Sequence, residues 1–262
     1  MQAFSYETPA TLADAVRGAG AGDAKIIAGG QSLLGAMKLG LAVHGTLVDL
    51  SGVPGLKRIE LDAGVLTIGA MNTHAEVAES ELVRRVLPAL ADLAGRIGDR
   101  QVRHRGTLGG SLANNDPTAC YPAALLGLGG SVLTDRRRIA ASDFLKGFYQ
   151  TALADDELII AVSFPIPERA AYVKFAQPAS RFALVGVFVS NGPQGVRVAV
   201  TGAAGGVMRV PALEERLAKD WSTAACSAVA ISADELHGDL HASAEYRAAL
   251  IPVLAARAVA AC

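Results

Sequence analysis

Cysteine is scarce in this 262-residue chain, and its spacing excludes more than its number does. Cys120, Cys226 and Cys262 are widely separated, so they form no disulfide framework, no zinc pattern and no four-thiolate iron–sulfur site. An excess of one charge is also missing. Lys and Arg total 24 against 25 Asp and Glu, a net charge of −1, which argues against a general nucleic-acid or membrane-surface binder. The apolar stretch Pro122 to Leu133 falls short of a bilayer span and carries glycines. The start, Met1 to Glu7, has neither the basic nor the apolar segment of a secretory signal, so a cytoplasmic protein is expected. Several familiar motifs are absent too. There is no Gly-x-Gly-x-x-Gly, no Walker lysine, no Gly-x-Ser-x-Gly elbow and no His-Glu-x-x-His.

What the chain does have is glycine, 28 residues of it, concentrated in two telling places. The first is Lys25-Ile26-Ile27-Ala28-Gly29-Gly30-Gln31-Ser32-Leu33. The second is Gly106-Thr107-Leu108-Gly109-Gly110-Ser111-Leu112-Ala113-Asn114-Asn115-Asp116-Pro117. Each sets backbone without side chains beside small hydroxyl or amide residues, which lets several N–H groups approach a phosphate. Gly-Gly pairs also make plain turns, and Asp116-Pro117 equally reads as the start of one. From spacing alone the two loops point to a phosphate-bearing ligand, of which a dinucleotide is one form.

The length allows one large domain or two smaller ones, and half the residues are apolar, enough for a real core. Thr8-Pro9 predicts a helix to Arg17, with Pro in the first turn. Lys25 to Ala28 reads as a strand, Ser32 to Leu39 as a helix and Thr46 to Leu50 as a strand. Ile59-Glu60-Leu61 and Val65 to Ile68 flank a hairpin turn. Thr73 and Glu76 make a capping box, with His74 between them read as a surface or interface residue. Apolar spacing from Leu82 to Ile97 predicts a helix that Pro88 kinks. Ser131 to Thr134 and Ile139 to Ala141 flank a charged turn, and Glu157 to Phe164 is a strand ended by Pro165 and Pro167. Beyond residue 167 the pattern changes. Tyr172 to Ala176, Phe182 to Ser190 and Val196 to Thr201 predict three antiparallel strands with one buried face, followed by helices from Pro211, the last over Ser243 to Ala260.

Four segments, in this order, resemble the flavin (medium) subunit of the molybdenum hydroxylases of the carbon monoxide dehydrogenase and xanthine dehydrogenase type. They are Ala28 to Leu33, Arg103 to Leu112, Tyr172 to Arg181 and His241 to Arg247, and the resemblance covers nearly the whole chain. It implies an α+β fold. Residues 1–167 would form a two-part FAD-binding domain of the vanillyl-alcohol-oxidase-like (PCMH) type, with subdomains of about 1–55 and 56–167. Residues 168–262 would form a small domain with a three-stranded antiparallel sheet and helices.

The resemblance also places the cofactor. Lys25, Ile26, Ile27, Ala28, Gly29, Gly30, Gln31, Ser32 and Leu33 would wrap the pyrophosphate. Thr107, Leu108, Gly109, Gly110 and Ser111 would hold the other side of the FAD. Ile97 falls at an apolar contact and Ile159 near the flavin ring, although both equally suit an ordinary core. Lys174 matches a lysine that lies near the flavin in relatives. Cys120 stands where the family usually has an aspartate, so its contact either becomes apolar or moves to Asn115 or Asp116. Arg100, Arg103 and Arg105 suit a solvated face, an acidic partner or the FAD phosphates. His237 and His241 have no evident third ligand for a metal.

No acid–base pair or nucleophile stands out. The function implied is electron transfer: FAD in this chain would take electrons from two [2Fe–2S] clusters in a small partner subunit and pass them to an external acceptor. A large molybdopterin subunit would carry out the substrate oxidation, in a dimer of heterotrimers. A self-sufficient flavin oxidoreductase and a non-redox nucleotide-binding module are the alternatives.

Overall fold

The structure is a computed structural model and describes residues 2–262. Its first fifty residues form a small parallel sheet. Strand β1 (Ser5–Glu7) leads through helix α1 (Leu12–Ala19) to β2 (Ala24–Ile27), then through α2 (Leu33–Lys38) to β3 (Thr46–Asp49). β3 is central and pairs in parallel with both neighbours, an arrangement that needs the two crossover helices. Helix α1 starts later than Thr8-Pro9 predicts. The Thr11 hydroxyl accepts from the Asp14 N–H at 3.1 Å, and that cap, not the proline, sets the helix start.

A second, antiparallel sheet follows, in the strand order β4 (Ile59–Asp62), β5 (Val65–Gly69), β10 (Ile159–Pro165), β6 (Ser131–Thr134), β7 (Arg138–Ala140). β4 (Ile59–Asp62) and β5 (Val65–Gly69) form the expected hairpin. Its two turn residues, Ala63 and Gly64, both have positive φ, 45° and 75°, as a two-residue type I′ turn demands. Between β5 and the rest of this sheet lie α3 (His74–Glu79), α4 (Glu81–Val86), α5 (Pro88–Gly95), α6 (Arg100–Arg105), α7 (Leu108–Asn114) and α8 (Cys120–Gly127). The single kinked helix expected over Leu82 to Ile97 is two helices. Leu87 leaves the helical region at φ −147°, ψ 63°, because a residue before proline is barred from it, and Pro88 opens α5. The sheet is completed by β6 (Ser131–Thr134), β7 (Arg138–Ala140) and, after helix α9 (Ala141–Phe144) and the small hairpin β8 (Leu145–Gly147) and β9 (Gln150–Thr151), by β10 (Ile159–Pro165).

The third sheet has strands β11 (Arg169–Ala176), β12 (Ala183–Gly192), β13 (Gly195–Thr201) and β14 (Met208–Arg209). It has four strands where the alternation predicts three, because β14 pairs only two residues, against Ala199 and Val200, too few for a period to register. Helices α10 (Pro211–Lys219), α11 (Thr223–Ser227) and α12 (Ala244–Ala260) follow. The expectation of one buried face is also corrected. Val185, Val187 and Val189 pack against Leu213, Ile251 and Leu254, while Phe188 points the other way into the core of the second sheet beside Tyr121 and Leu125. β12 is therefore covered on both faces, by α10 to α12 on one side and α8 on the other. This packing brings β11 to the residues that follow the second glycine loop.

Candidate functional site

The two glycine loops touch. A Cβ on Gly29 would overlap the carbonyl of Arg105, and one on Gly110 would stand 3.6 Å from the Ala28 Cβ. At position 29 only glycine lets the two backbones lie so close. The first loop leaves β2 through Ile27, which is buried with Met37 and Leu47, while Ile26 packs on the other side near Leu50. Lys25 is exposed on the strand and Leu33 starts α2. Gly30 has φ 73°, a left-handed turn. Among the described residues, the N–H groups of Gly29, Gly30, Gln31 and Ser32 have no acceptor within the protein. Four successive unpaired donors around a left-handed glycine form an anion-binding concavity.

The second loop is built differently. Its N–H groups are already used. Gly106 donates to Val102 O at 2.7 Å, Leu108 to Asn72 O at 3.0 Å, Gly109 to Ala70 O at 2.8 Å and Ser111 to Thr107 O at 3.0 Å. Gly110 donates to the Thr107 Oγ1 at 3.1 Å, capping α7. The expectation that both loops offer free N–H groups is thus corrected: the second is pinned to the turn after β5 and keeps no such set. Leu108 is wholly buried. What the loop presents beside Ala28 is Gly110, together with Ser111, whose hydroxyl bonds to nothing among the described residues.

Asn115 and Asp116 have structural duties. Asn115 sits in the left-handed region at φ 43°, and its buried amide donates to Gly147 O at 2.8 Å and Gln150 O at 2.7 Å. It anchors the β8–β9 hairpin. Asp116 accepts from Thr118 N at 2.8 Å, from Thr118 Oγ1 at 2.7 Å and from the Tyr149 hydroxyl at 3.0 Å. Neither side chain is free to stand in for a carboxylate at position 120.

Cys120 is buried at the first position of α8. The Lys174 Nζ lies 3.6 Å from its Sγ and also donates to Arg96 O at 2.7 Å and Arg181 O at 3.0 Å. Ile97, next to Arg96, is half-buried against the core. Ile159, buried at the start of β10, belongs to the same core. Ile97, Cys120 and Lys174 are thus neighbours, gathered from the end of α5, from α8 and from β11.

Three aromatic residues at the site are not evident from the sequence. His74 is buried, contrary to the surface position expected. Its backbone N–H donates to Gly106 O at 2.9 Å, its ring lies 5.3 Å from Tyr121, and its Nδ1 has no partner among the described residues. Burial, and then the nearby Arg103 charge, lower its pKa to about 4, so it is neutral at pH 7. Tyr121 and Tyr172 also bury hydroxyls that have no partner among the described residues. Burial, and next the adjacent Cys120, push both phenols up. The one legible signal is strand alternation, which puts Tyr172 and Lys174 on one face. Arg103 is tied to Ile97 O and Gly98 O, each at 3.2 Å, so it braces the turn before α6.

Among the described residues no helix is long and apolar enough to cross a membrane, and no group of three or more His, Cys, Asp or Glu is placed to hold a metal ion.

Comparison with known proteins identifies the family of the chain. A family model described as the FAD binding domain in molybdopterin dehydrogenase matches residues 2–167. The medium subunit of nicotine 6-hydroxylase from Paenarthrobacter nicotinovorans is 38% identical over 275 residues, covering 99% of this chain and 97% of that protein. The carbon monoxide dehydrogenase medium chain of Hydrogenophaga pseudoflava is 32% identical, covering 98% and 96%. Among solved structures, carbon monoxide dehydrogenase from Hydrogenophaga pseudoflava superposes with a TM-score of 0.89 at 31% identity, over 99% of this chain and 97% of that one. Quinoline 2-oxidoreductase from Pseudomonas putida 86 gives 0.89 at 30%, over 99% and 96%. With both the matched domain and the near-complete coverage of these relatives, the chain belongs to the molybdopterin dehydrogenase family, as its FAD-binding medium subunit.

Proposed function

We propose that this chain binds FAD and serves as the electron-transfer subunit of a heterotrimeric molybdenum hydroxylase. The observation that carries the reading is the row of unpaired N–H groups from Gly29 to Ser32, locked against Arg105 by a contact that only glycine permits. Those donors suit a pyrophosphate. Residues from Lys25 to Leu33 would hold it, with Gly109, Gly110 and Ser111 on the other side of the cofactor. Ile97, Cys120 and Lys174 would lie toward the ring, with Ile159 behind them. Bound FAD would supply a ring that takes up electrons one at a time, as iron–sulfur clusters deliver them, and gives them up singly or in pairs.

The protein's part is to bind, orient and tune that ring. Residues 1–167 act as the FAD-binding domain, in two subdomains meeting near residue 55, on the PCMH-type pattern. Residues 168–262 act as the second domain, which brings Lys174 to the ring. Electrons arrive from [2Fe–2S] clusters in a small partner subunit, since this chain has only three scattered cysteines. A large molybdopterin subunit carries out the substrate oxidation, two heterotrimers associate, and the assembly works in the cytoplasm.

The test is purification from the native host. The expected result is a yellow complex of three chains containing FAD, iron and molybdenum, with Gly29→Ala losing the flavin. A colourless chain that purifies alone would overturn the reading.

A further inference from the structure

The Lys174 ammonium is held entirely by neutral groups. Its partners are the carbonyls of Arg96 and Arg181 and the sulfur of Cys120. No ion pair among the described residues includes it. Three carboxylates on the elements around it are engaged elsewhere. Asp92 pairs with Arg96 at 2.9 Å, Asp99 caps α6 through the Val102 N–H at 2.8 Å, and Asp116 is held by Thr118 and Tyr149. The other charged groups at this end, Arg96, Arg103 and Arg181, are cationic. The buried hydroxyl of Tyr172, beside the same sulfur, adds a dipole and no charge. The balance is therefore an unneutralised positive charge in a half-buried setting, where a unit charge is screened less than in bulk water.

We propose that the Cys120–Lys174 pair sets the redox potential of the flavin, holding it higher than a carboxylate at position 120 would. The inference rests on the FAD reading above. Two-electron reduction with uptake of one proton leaves the flavin ring negatively charged. A nearby ammonium with only neutral partners favours that form over the oxidised, neutral ring. A carboxylate at position 120 would cancel the ammonium and remove the preference. The ring beside Cys120 is thus the weaker reductant. It suits a more oxidising electron acceptor than the same site would with aspartate. Cys120 and Lys174 act here as tuning residues, with no role in bond making.

The experiment is a spectroelectrochemical titration of the purified complex, reading flavin absorbance against flavin-depleted complex to remove the iron–sulfur contribution. Cys120→Asn and Cys120→Asp are close in size and shape and differ chiefly in charge, so their difference reads it. The expected result is that Cys120→Asp lowers the ratio of reduced-flavin to oxidised-flavin affinity at least tenfold relative to Cys120→Asn. For a two-electron couple that is a potential about 30 mV lower. Lys174→Met should shift the potential downward from the wild-type value as well, and it keeps the test open if the aspartate variant fails to assemble. Equal potentials in the asparagine and aspartate variants, or an unshifted Lys174→Met, overturn the inference. A complex with no flavin overturns the FAD reading instead.

Discussion

Gly29 and the carbonyl of Arg105 are packed so tightly that a single methyl group on Gly29 would overlap the oxygen. The contact joins two loops about eighty residues apart and sets the spacing of the unpaired N–H row. Gly29→Ala is therefore expected to push the loops apart. Overpacking of this kind costs about 1–3 kcal/mol of stability. Losing one charge-assisted hydrogen bond to a phosphate would weaken FAD roughly tenfold or more. A flavin dissociation constant measured on the assembled complex checks it. A variant that retains flavin as the wild type does would show that the loops do not share the ligand.

Cys120 is expected to limit flavin retention. Asn115 and Asp116 are committed to the β8–β9 hairpin and to the turn at Thr118, so neither supplies the carboxylate that position 120 lacks. Cys120→Asp places a strong acceptor next to Lys174 and within the same burial. Its dissociation constant for oxidised FAD should fall by roughly tenfold, about the strength of one charge-assisted bond. An unchanged constant would sink the idea.

His74 predicts an acid sensitivity above the carboxylate range. Its folded pKa, lowered to about 4 by burial and then by Arg103, lies below the ordinary histidine value near 6.5. Between those values the unfolded chain takes up a proton that the folded chain refuses. Stability is therefore complete above about pH 6.5 and declines as the pH falls toward 4. The full loss amounts to about 3 kcal/mol. Denaturant melts at pH 7, 5.5 and 4.5 should show this slope in the wild type and a shallower one in His74→Gln.

Glu157 predicts a second, lower window. Its carboxylate accepts from Arg137 Nη2 at 2.7 Å, from Thr134 Oγ1 at 2.7 Å and from the Ala154 N–H at 3.1 Å. Arg137 chiefly, against the opposing effect of burial and with help from Thr134, lowers its pKa to about 2. The contribution is intact above the unfolded value near 4.5 and is lost as the pH falls through 2. Arg137 is half exposed, so solvent screens the pair. Glu157→Gln should cost about 2 kcal/mol at pH 7 and little at pH 2. Equal destabilisation at both pH values would mean the ion pair is not the cause.

Features set by neighbouring residues are legible in the sequence. The hairpin at Ala63-Gly64, the capping box at Thr73 and Glu76 and the three longer strands of the third sheet depend on turn geometry, a short side-chain bond and alternation, all within a few residues. Pro88 marks the right place but acts more strongly than a kink, because its effect on Leu87 ends a helix rather than bending it. β14 is invisible to periodicity because two residues carry no period. The burial of His74 is hidden because its neighbours in sequence form a cap, whereas the groups that cover it are Tyr121 and Gly106.

By itself the sequence determined the glycine at positions 29, 30, 109 and 110, the order of the flavin-like segments and the neutral residue at position 120. These depend on residue identity, since only glycine omits the Cβ and a thiol carries no carboxylate charge. Tertiary structure decided which backbone donors stay free. Gly29 to Ser32 keep theirs because no acceptor among the described residues is aligned with them, while the second loop spends its own on Ala70, Asn72 and Thr107. It also decided that Lys174 meets Cys120, 54 residues away along the chain, because β12 is buried on both faces and carries β11 onto α8. Hydrogen-bond partners and charge balance belong to space, and spacing along a chain does not encode them.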